Sequence, residues 1–133
     1  MLRRISVLAA AAAMLAISAL PASAAPQSPV HKLSFPAMHG VKSWGTYVRT
    51  RKGVRINVCS EDTARSNFAV GAVTLASNAR YTRGTNLGAV AIGYKQTVCR
   101  SGFMPYTGHL RTYTFIGTSH GTISKRSRNK VIY

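Results

Sequence analysis

The chain has 133 residues and an unbalanced charge, with 18 lysines and arginines against only Glu61 and Asp62, so its formal net charge is +16. So few carboxylates exclude glycosidase, aspartic-protease and calcium-binding chemistry, because each needs several acidic groups around a substrate or an ion. A chain of this length can form one hydrophobic core, and a single domain is expected.

The first 24 residues have the pattern of a secretory signal peptide. Arg3 and Arg4 precede an apolar run at 5–20, and the Ala-Ser-Ala tripeptide at 22–24 supplies the small residues of a cleavage site. Cleavage there predicts export by the general secretory route to the extracellular space or the cell envelope. Loss of the two arginines leaves 16 basic and 2 acidic residues, a formal charge of +14. No later apolar stretch approaches the roughly 20 residues that cross a bilayer.

The segment at 25–43 contains three prolines and no sustained period of 2 or 3.6, so an extended N-terminal arm is predicted before a single β domain at 44–133. The first hairpin of that domain is predicted to have a three-residue loop at 51–53. Arg49 then lies opposite Arg55 on one face. Opposed arginines repel, so this face is predicted to meet an anionic partner or an aromatic ring. The alternative is a solvated basic face.

Two apolar runs follow a polar turn, or a single helical turn, at 60–67. The runs at 68–76 and 87–98 are separated by a polar loop at 77–86, and they predict a pair of central strands. Small residues dominate both runs, which predicts a close approach of two layers.

The last part of the chain predicts further strands. The strand at 110–117 alternates, with three basic or aromatic residues on one side: Arg111, Tyr113 and Phe115. After a turn at 118–121 a return strand begins, and the basic run at 125–130 ends in an apolar tripeptide predicted as an edge strand or a docked end. The whole pattern predicts an all-β fold, a small antiparallel β-sandwich or barrel of about six or seven strands.

Cys59 and Cys99 are the only cysteines. An even cysteine count in an exported chain predicts one disulfide, here joining the first hairpin to the second central strand. The alternative of a reactive or metal-binding thiol pair is disfavoured, because the spacing matches no zinc motif.

The catalytic motifs are weak. The segment at 117–121 has the spacing of a nucleophile elbow around Ser119, but the short domain and the absence of any later carboxylate favour a chance match. A metal-independent ribonuclease could use two histidines. His109 and His120 lie at opposite ends of a predicted strand, roughly 20 Å or more apart at about 3.3 Å per residue, which disfavours a shared site. No catalytic residue, metal site or cofactor is predicted.

The charge predicts a secreted, non-enzymatic binding protein for anionic material, namely a cell-envelope polymer, a nucleic acid or an anionic lipid surface, because each neutralised phosphate releases counterions. The residues expected to bind are the cations of the first hairpin and of the C-terminal run: Arg49, Arg51, Lys52, Arg55, Lys125, Arg126, Arg128 and Lys130. One alternative is a protein-recognition module, such as an inhibitor or toxin, acting through the loop at 77–86 or at 101–109. The other is the small ribonuclease.

Overall fold

The computed structural model describes residues 28–118 and 120–133. The predicted signal peptide at 1–24, the start of the arm and Ser119 lie outside the described residues. The rest forms nine β-strands and no helix, so no helix there could cross a membrane. The strands in chain order are β1 Val30–Leu33, β2 Val41–Arg49, β3 Val54–Asp62, β4 Phe68–Ala76, β5 Gly84–Ala91, β6 Thr97–Met104, β7 His109–Gly117, β8 Ile123–Arg126 and β9 Lys130–Val131.

The strands form two antiparallel sheets that pack as a β-sandwich. Sheet 1 has the order β1-β2-β3-β6, and sheet 2 has the order β5-β4-β7-β8, with β9 also pairing with β7. The predicted all-β sandwich is confirmed. The structure has more strands than the predicted six or seven, because short segments near both ends of the described chain, β1 and β9, also pair with neighbouring strands.

The core lies between the sheets and is built from the inward side chains of both. Sheet 1 contributes Ile56 and Val58, and sheet 2 contributes Val73, Leu75 and Leu110, all of them buried. This burial follows from period-2 alternation, which turns every second side chain of a strand toward the opposite sheet.

The two layers approach closely at Gly71, on the inner side of β4. A Cβ atom added there would collide with the side chain of Ser43, and the Gly71 amide donates a hydrogen bond of 2.8 Å to Ser60 Oγ. The prediction that small residues mark a close approach is confirmed at this position.

The apolar run at 87–98 is not one central strand, so that prediction is wrong. It contains the end of β5, a turn at 92–96 and the beginning of β6. The turn carries the chain from the edge of sheet 2 to the edge of sheet 1, and it contains positive φ angles at Gly93 (121°) and Lys95 (60°).

The register of the first hairpin also differs from the prediction. Arg55 pairs with Val48, not with Arg49, because the loop has four residues. Thr50 closes that loop: its amide donates to Gly53 O at 2.8 Å, and its Oγ1 accepts from Gly53 N at 3.2 Å. A shift of one residue exchanges the two faces of a strand. Arg49 and Arg55 therefore lie on opposite faces of sheet 1, and the opposed pair of arginines does not form.

The C-terminal segment confirms two predictions. In β7 the predicted alternation holds, with Leu110, Thr112 and Thr114 buried. The final tripeptide is docked, because the Leu110 amide donates to Tyr133 O at 2.9 Å and the Ile132 amide donates to Leu110 O at 2.8 Å.

Candidate anion-binding groove

The outer face of sheet 1 carries a row of side chains contributed by all four strands. The strand register places Val30, Val48, Arg55 and Phe103 side by side across β1, β2, β3 and β6. Arg55 is exposed and Phe103 is 51% exposed. The Arg55 guanidinium thus has an aliphatic neighbour on one side and an aromatic one on the other.

A groove of about 440 Å³ follows this row and extends over the neighbouring polar positions Asn57 and Ser101. At the hairpin end the depression continues along Arg51 and Lys52, beside Arg55 and Phe103. We call this surface the Arg55 groove and define it by Val48, Arg51, Lys52, Arg55 and Phe103.

The hairpin loop is held against the end of β6, which brings its two cations to the groove. Gly53 is buried there, and a Cβ atom added to it would collide with the Met104 carbonyl oxygen. The close contact therefore requires glycine. Arg51 and Lys52 precede this anchored residue and remain exposed at the tip.

The predicted disulfide is confirmed and lies on the same face as the groove. Cys59 of β3 is directly opposite Cys99 of β6, and their Cα atoms are 4.0 Å apart. The bond therefore joins two neighbouring strands within sheet 1 and does not bridge the two sheets. These two strands also carry Arg55 and Phe103, so the disulfide covalently links the walls of the groove.

Neither acidic residue lines the groove. Asp62 is fully buried, and its Oδ1 accepts hydrogen bonds from Ala64 N at 3.1 Å and Ser66 Oγ at 3.0 Å, which closes the loop after β3. Glu61 is half-buried and lies on the same outer face, but six residues along β3 from Arg55, opposite Lys42 in the strand register. The positive potential of the groove is therefore not neutralised by a nearby carboxylate.

Aromatic rings take the place of acids as partners of several cations. The shortest separations between a guanidinium carbon and a ring centre are 4.1 Å for Arg49 over Tyr133, 4.0 Å for Arg111 over Tyr81 and 4.3 Å for Arg126 over Tyr113. Burial raises the pKa of Tyr133, and the charge of Arg49 partly opposes that rise. Such contacts stabilise a cation without cancelling its charge.

The eight predicted binding residues are divided between the two sheets. Arg51, Lys52 and Arg55 come together at the groove. Arg49 lies on the inner side of the hairpin, with its guanidinium over the ring of Tyr133. The C-terminal cations are exposed on sheet 2 or in the connection between its last strands: Lys125, Arg126, Arg128 and Lys130.

Sequence reasoning missed the two apolar groove residues, Val48 and Phe103. The wrong register of the first hairpin placed Val48 on the face opposite Arg55. Phe103 was missed for a different reason. It lies in the segment at 101–109, which was predicted as a loop, although residues up to Met104 belong to β6. The alternation of that strand is hidden by its polar composition, and its pairing with β3 joins residues far apart in sequence.

The two histidines of the ribonuclease alternative lie at opposite ends of β7. His109 begins β7, with its ring centre 6.2 Å from that of Tyr81, and His120 follows the other end of the strand. Among residues 28–118 and 120–133, no group of three or more His, Cys, Asp or Glu side chains could hold a metal ion.

The chain matches no protein-family model, no curated protein and no solved structure.

Proposed function

We propose that the protein is a secreted, non-enzymatic binder of anionic polymers that engages them through the Arg55 groove. The observation that carries this proposal is the convergence of Arg51, Lys52 and Arg55 on one exposed groove that neither Glu61 nor Asp62 lines. Phe103 and Val48 add apolar contact area beside the three charges.

The shape of the groove favours a chain-like ligand. It is an open depression that runs across the outer face of the sheet, from the hairpin tip at Arg51 past Arg55 to Ser101. A polymer lying along it would bring successive anionic groups to the cations and release counterions at each one. The exposed ring of Phe103 would contact the uncharged part of a repeating unit, such as a base or a sugar.

The test compares two variants that lose the same charge at different places. Arg51→Gln/Arg55→Gln removes two groove cations, and Arg80→Gln/Arg83→Gln removes two exposed cations from the loop between β4 and β5. Binding of polyuridylic acid and of polyphosphate is titrated at several salt concentrations. At about 1 kcal/mol per basic residue near an anionic surface, the groove variant should bind roughly 30-fold more weakly.

The salt dependence provides the second readout. The slope of log affinity against log salt should fall by about 1 for each contacting cation removed in the groove variant. The loop variant should keep nearly the wild-type slope. Equal losses of affinity in both variants would show that binding depends only on the net charge of the protein. If the wild-type protein bound neither polyuridylic acid nor polyphosphate, the proposal would be contradicted.

A further inference from the structure

A second exposed surface lies at one end of the outer face of sheet 2. Three aliphatic side chains are exposed there, with values of 68% for Ile92, 48% for Ile123 and 43% for Val90. Val90 and Ile92 line one depression together with Phe68. Ile123 pairs with Gly117, which the Phe68 ring covers, so the four side chains form one patch. We call it the apolar end.

Cations and a tyrosine lie next to the apolar end. Tyr94 follows Ile92 by two residues, is 46% exposed, and has Arg65 and Lys95 over its ring at 4.8 and 5.4 Å. On the other side, Arg126 of β8 is opposite Phe115 in the strand register, and its guanidinium lies over the neighbouring ring of Tyr113. The ring centres of Phe115 and Phe68 are 6.2 Å apart, in an edge-to-face arrangement. The patch is therefore apolar at its centre and cationic at its margin.

We propose that the apolar end inserts peripherally into the headgroup region of an anionic lipid bilayer. Ile92, Ile123 and Val90 offer branched methyl groups, which suit acyl chains, whereas nucleic-acid bases stack on flat rings. An amphipathic tyrosine such as Tyr94 is favoured at the boundary between headgroups and acyl chains. Nearby arginines and lysines are attracted to anionic headgroups. This inference does not depend on the Arg55 groove, which lies on the other sheet.

The test uses two matched substitutions of exposed, β-branched aliphatic residues. Ile92→Ser changes the apolar end, and Val131→Ser changes a residue of similar exposure, 66%, that pairs with Arg111 at the other end of β7. Sedimentation is measured with vesicles of mixed phosphatidylcholine and phosphatidylglycerol and with vesicles of phosphatidylcholine alone. Because the Ile92 side chain would leave water on insertion, Ile92→Ser should lower binding to the mixed vesicles roughly tenfold, whereas Val131→Ser should bind like wild type. Equal binding by the two variants, or no preference for the mixed vesicles, would overturn the inference.

Insertion also has a direct spectroscopic readout. Trp44 is the only tryptophan of the chain and lies on the outer face of sheet 1. Its replacement by phenylalanine removes the native tryptophan emission, so that a tryptophan introduced at position 92 is observed alone. The emission of the Trp44→Phe/Ile92→Trp variant should shift to shorter wavelength with mixed vesicles. The shift should persist when Arg51→Gln/Arg55→Gln is added, although those substitutions weaken polymer binding. No shift would overturn the inference while leaving the groove proposal intact. A weaker interaction of Ile92→Ser with polyuridylic acid, with vesicle binding unchanged, would assign the patch to polymer binding instead.

Discussion

Removal of the disulfide tests how the groove is stabilised. Cys59 and Cys99 are 40 residues apart in sequence, and closing a loop of that length in the unfolded chain is worth about 4 kcal/mol on loop-entropy grounds. A domain of this size has a total stability of roughly 5–15 kcal/mol. We therefore expect Cys59→Ala/Cys99→Ala to lose about 4 kcal/mol of unfolding free energy, with a fall in Tm of more than roughly 15 °C.

The same variant should affect binding much less than stability. Eight residue pairs hold β3 to β6 in register, from Val54 with Met104 to Glu61 with Thr97, and Cys59 with Cys99 is one of them. Loss of the bond between the two sulfur atoms should leave the backbone pairing of all eight in place. The folded fraction of the variant should thus keep the groove geometry and bind polyuridylic acid within about threefold of wild type, since no contacting charge is lost.

Urea unfolding followed by far-ultraviolet circular dichroism measures the first effect, and binding well below the Tm measures the second. Wild-type protein under reducing conditions is the control, because it loses the same constraint and keeps both cysteine side chains. A loss of less than about 1 kcal/mol would refute the loop-entropy reasoning. A tenfold loss of affinity in fully folded variant would show that the disulfide positions Arg55 and Phe103 rather than only stabilising them.

Three further predictions follow from individual contacts. Phe103→Ala should weaken binding of polyuridylic acid at least about fivefold, through lost stacking, and leave polyphosphate binding unchanged in the same titration. Gly71→Ala should lower the unfolding free energy by about 1–3 kcal/mol in urea, because the new methyl group collides with Ser43. Burial raises the pKa of Tyr133 in the folded state, so the unfolded chain loses that proton first. Stability should then fall as pH rises above about 10, and Tyr133→Phe should flatten this fall in urea unfolding measured across that range.

Local alternation made parts of the fold predictable. The bounds of β4, Phe68–Ala76, agree with the apolar run, and the buried threonines of β7 lie on the side that the pattern indicates. In β7 polar or aromatic residues alternate with buried ones, whereas β4 is a continuous apolar run between polar flanks. Burial then follows directly from sequence.

The register of the first hairpin was not predictable in this way. In β2 both faces carry large apolar residues, since Tyr47 points to the core whereas Trp44 and Val48 point outward. Apolar periodicity therefore cannot choose between the faces, and the loop length decides. The hydrogen bonds of Thr50 to Gly53 set that length, and a threonine three residues before a glycine was the available signal for a four-residue turn.

The candidate site was predictable only in its charge. Arg51, Lys52 and Arg55 are close in sequence, so their meeting is a local property of one hairpin. Phe103 reaches them only because the chain crosses at 92–96 from sheet 2 to sheet 1, where β6 pairs with β3. That crossing lies inside the run at 87–98 that was predicted as one continuous strand. Long-range strand pairing is the part that composition and spacing leave undetermined.

The two-layer architecture limits how many of the positive charges interact with any one ligand. Packed sheets are about 10 Å apart, whereas the Debye length at physiological ionic strength is about 8 Å. Arg55 on one outer face and Arg126 on the other are thus electrostatically screened from each other. A flat anionic surface meets the cations of one layer at a time, and the effective valence of the protein is set by the layer that faces the ligand rather than by its formal charge.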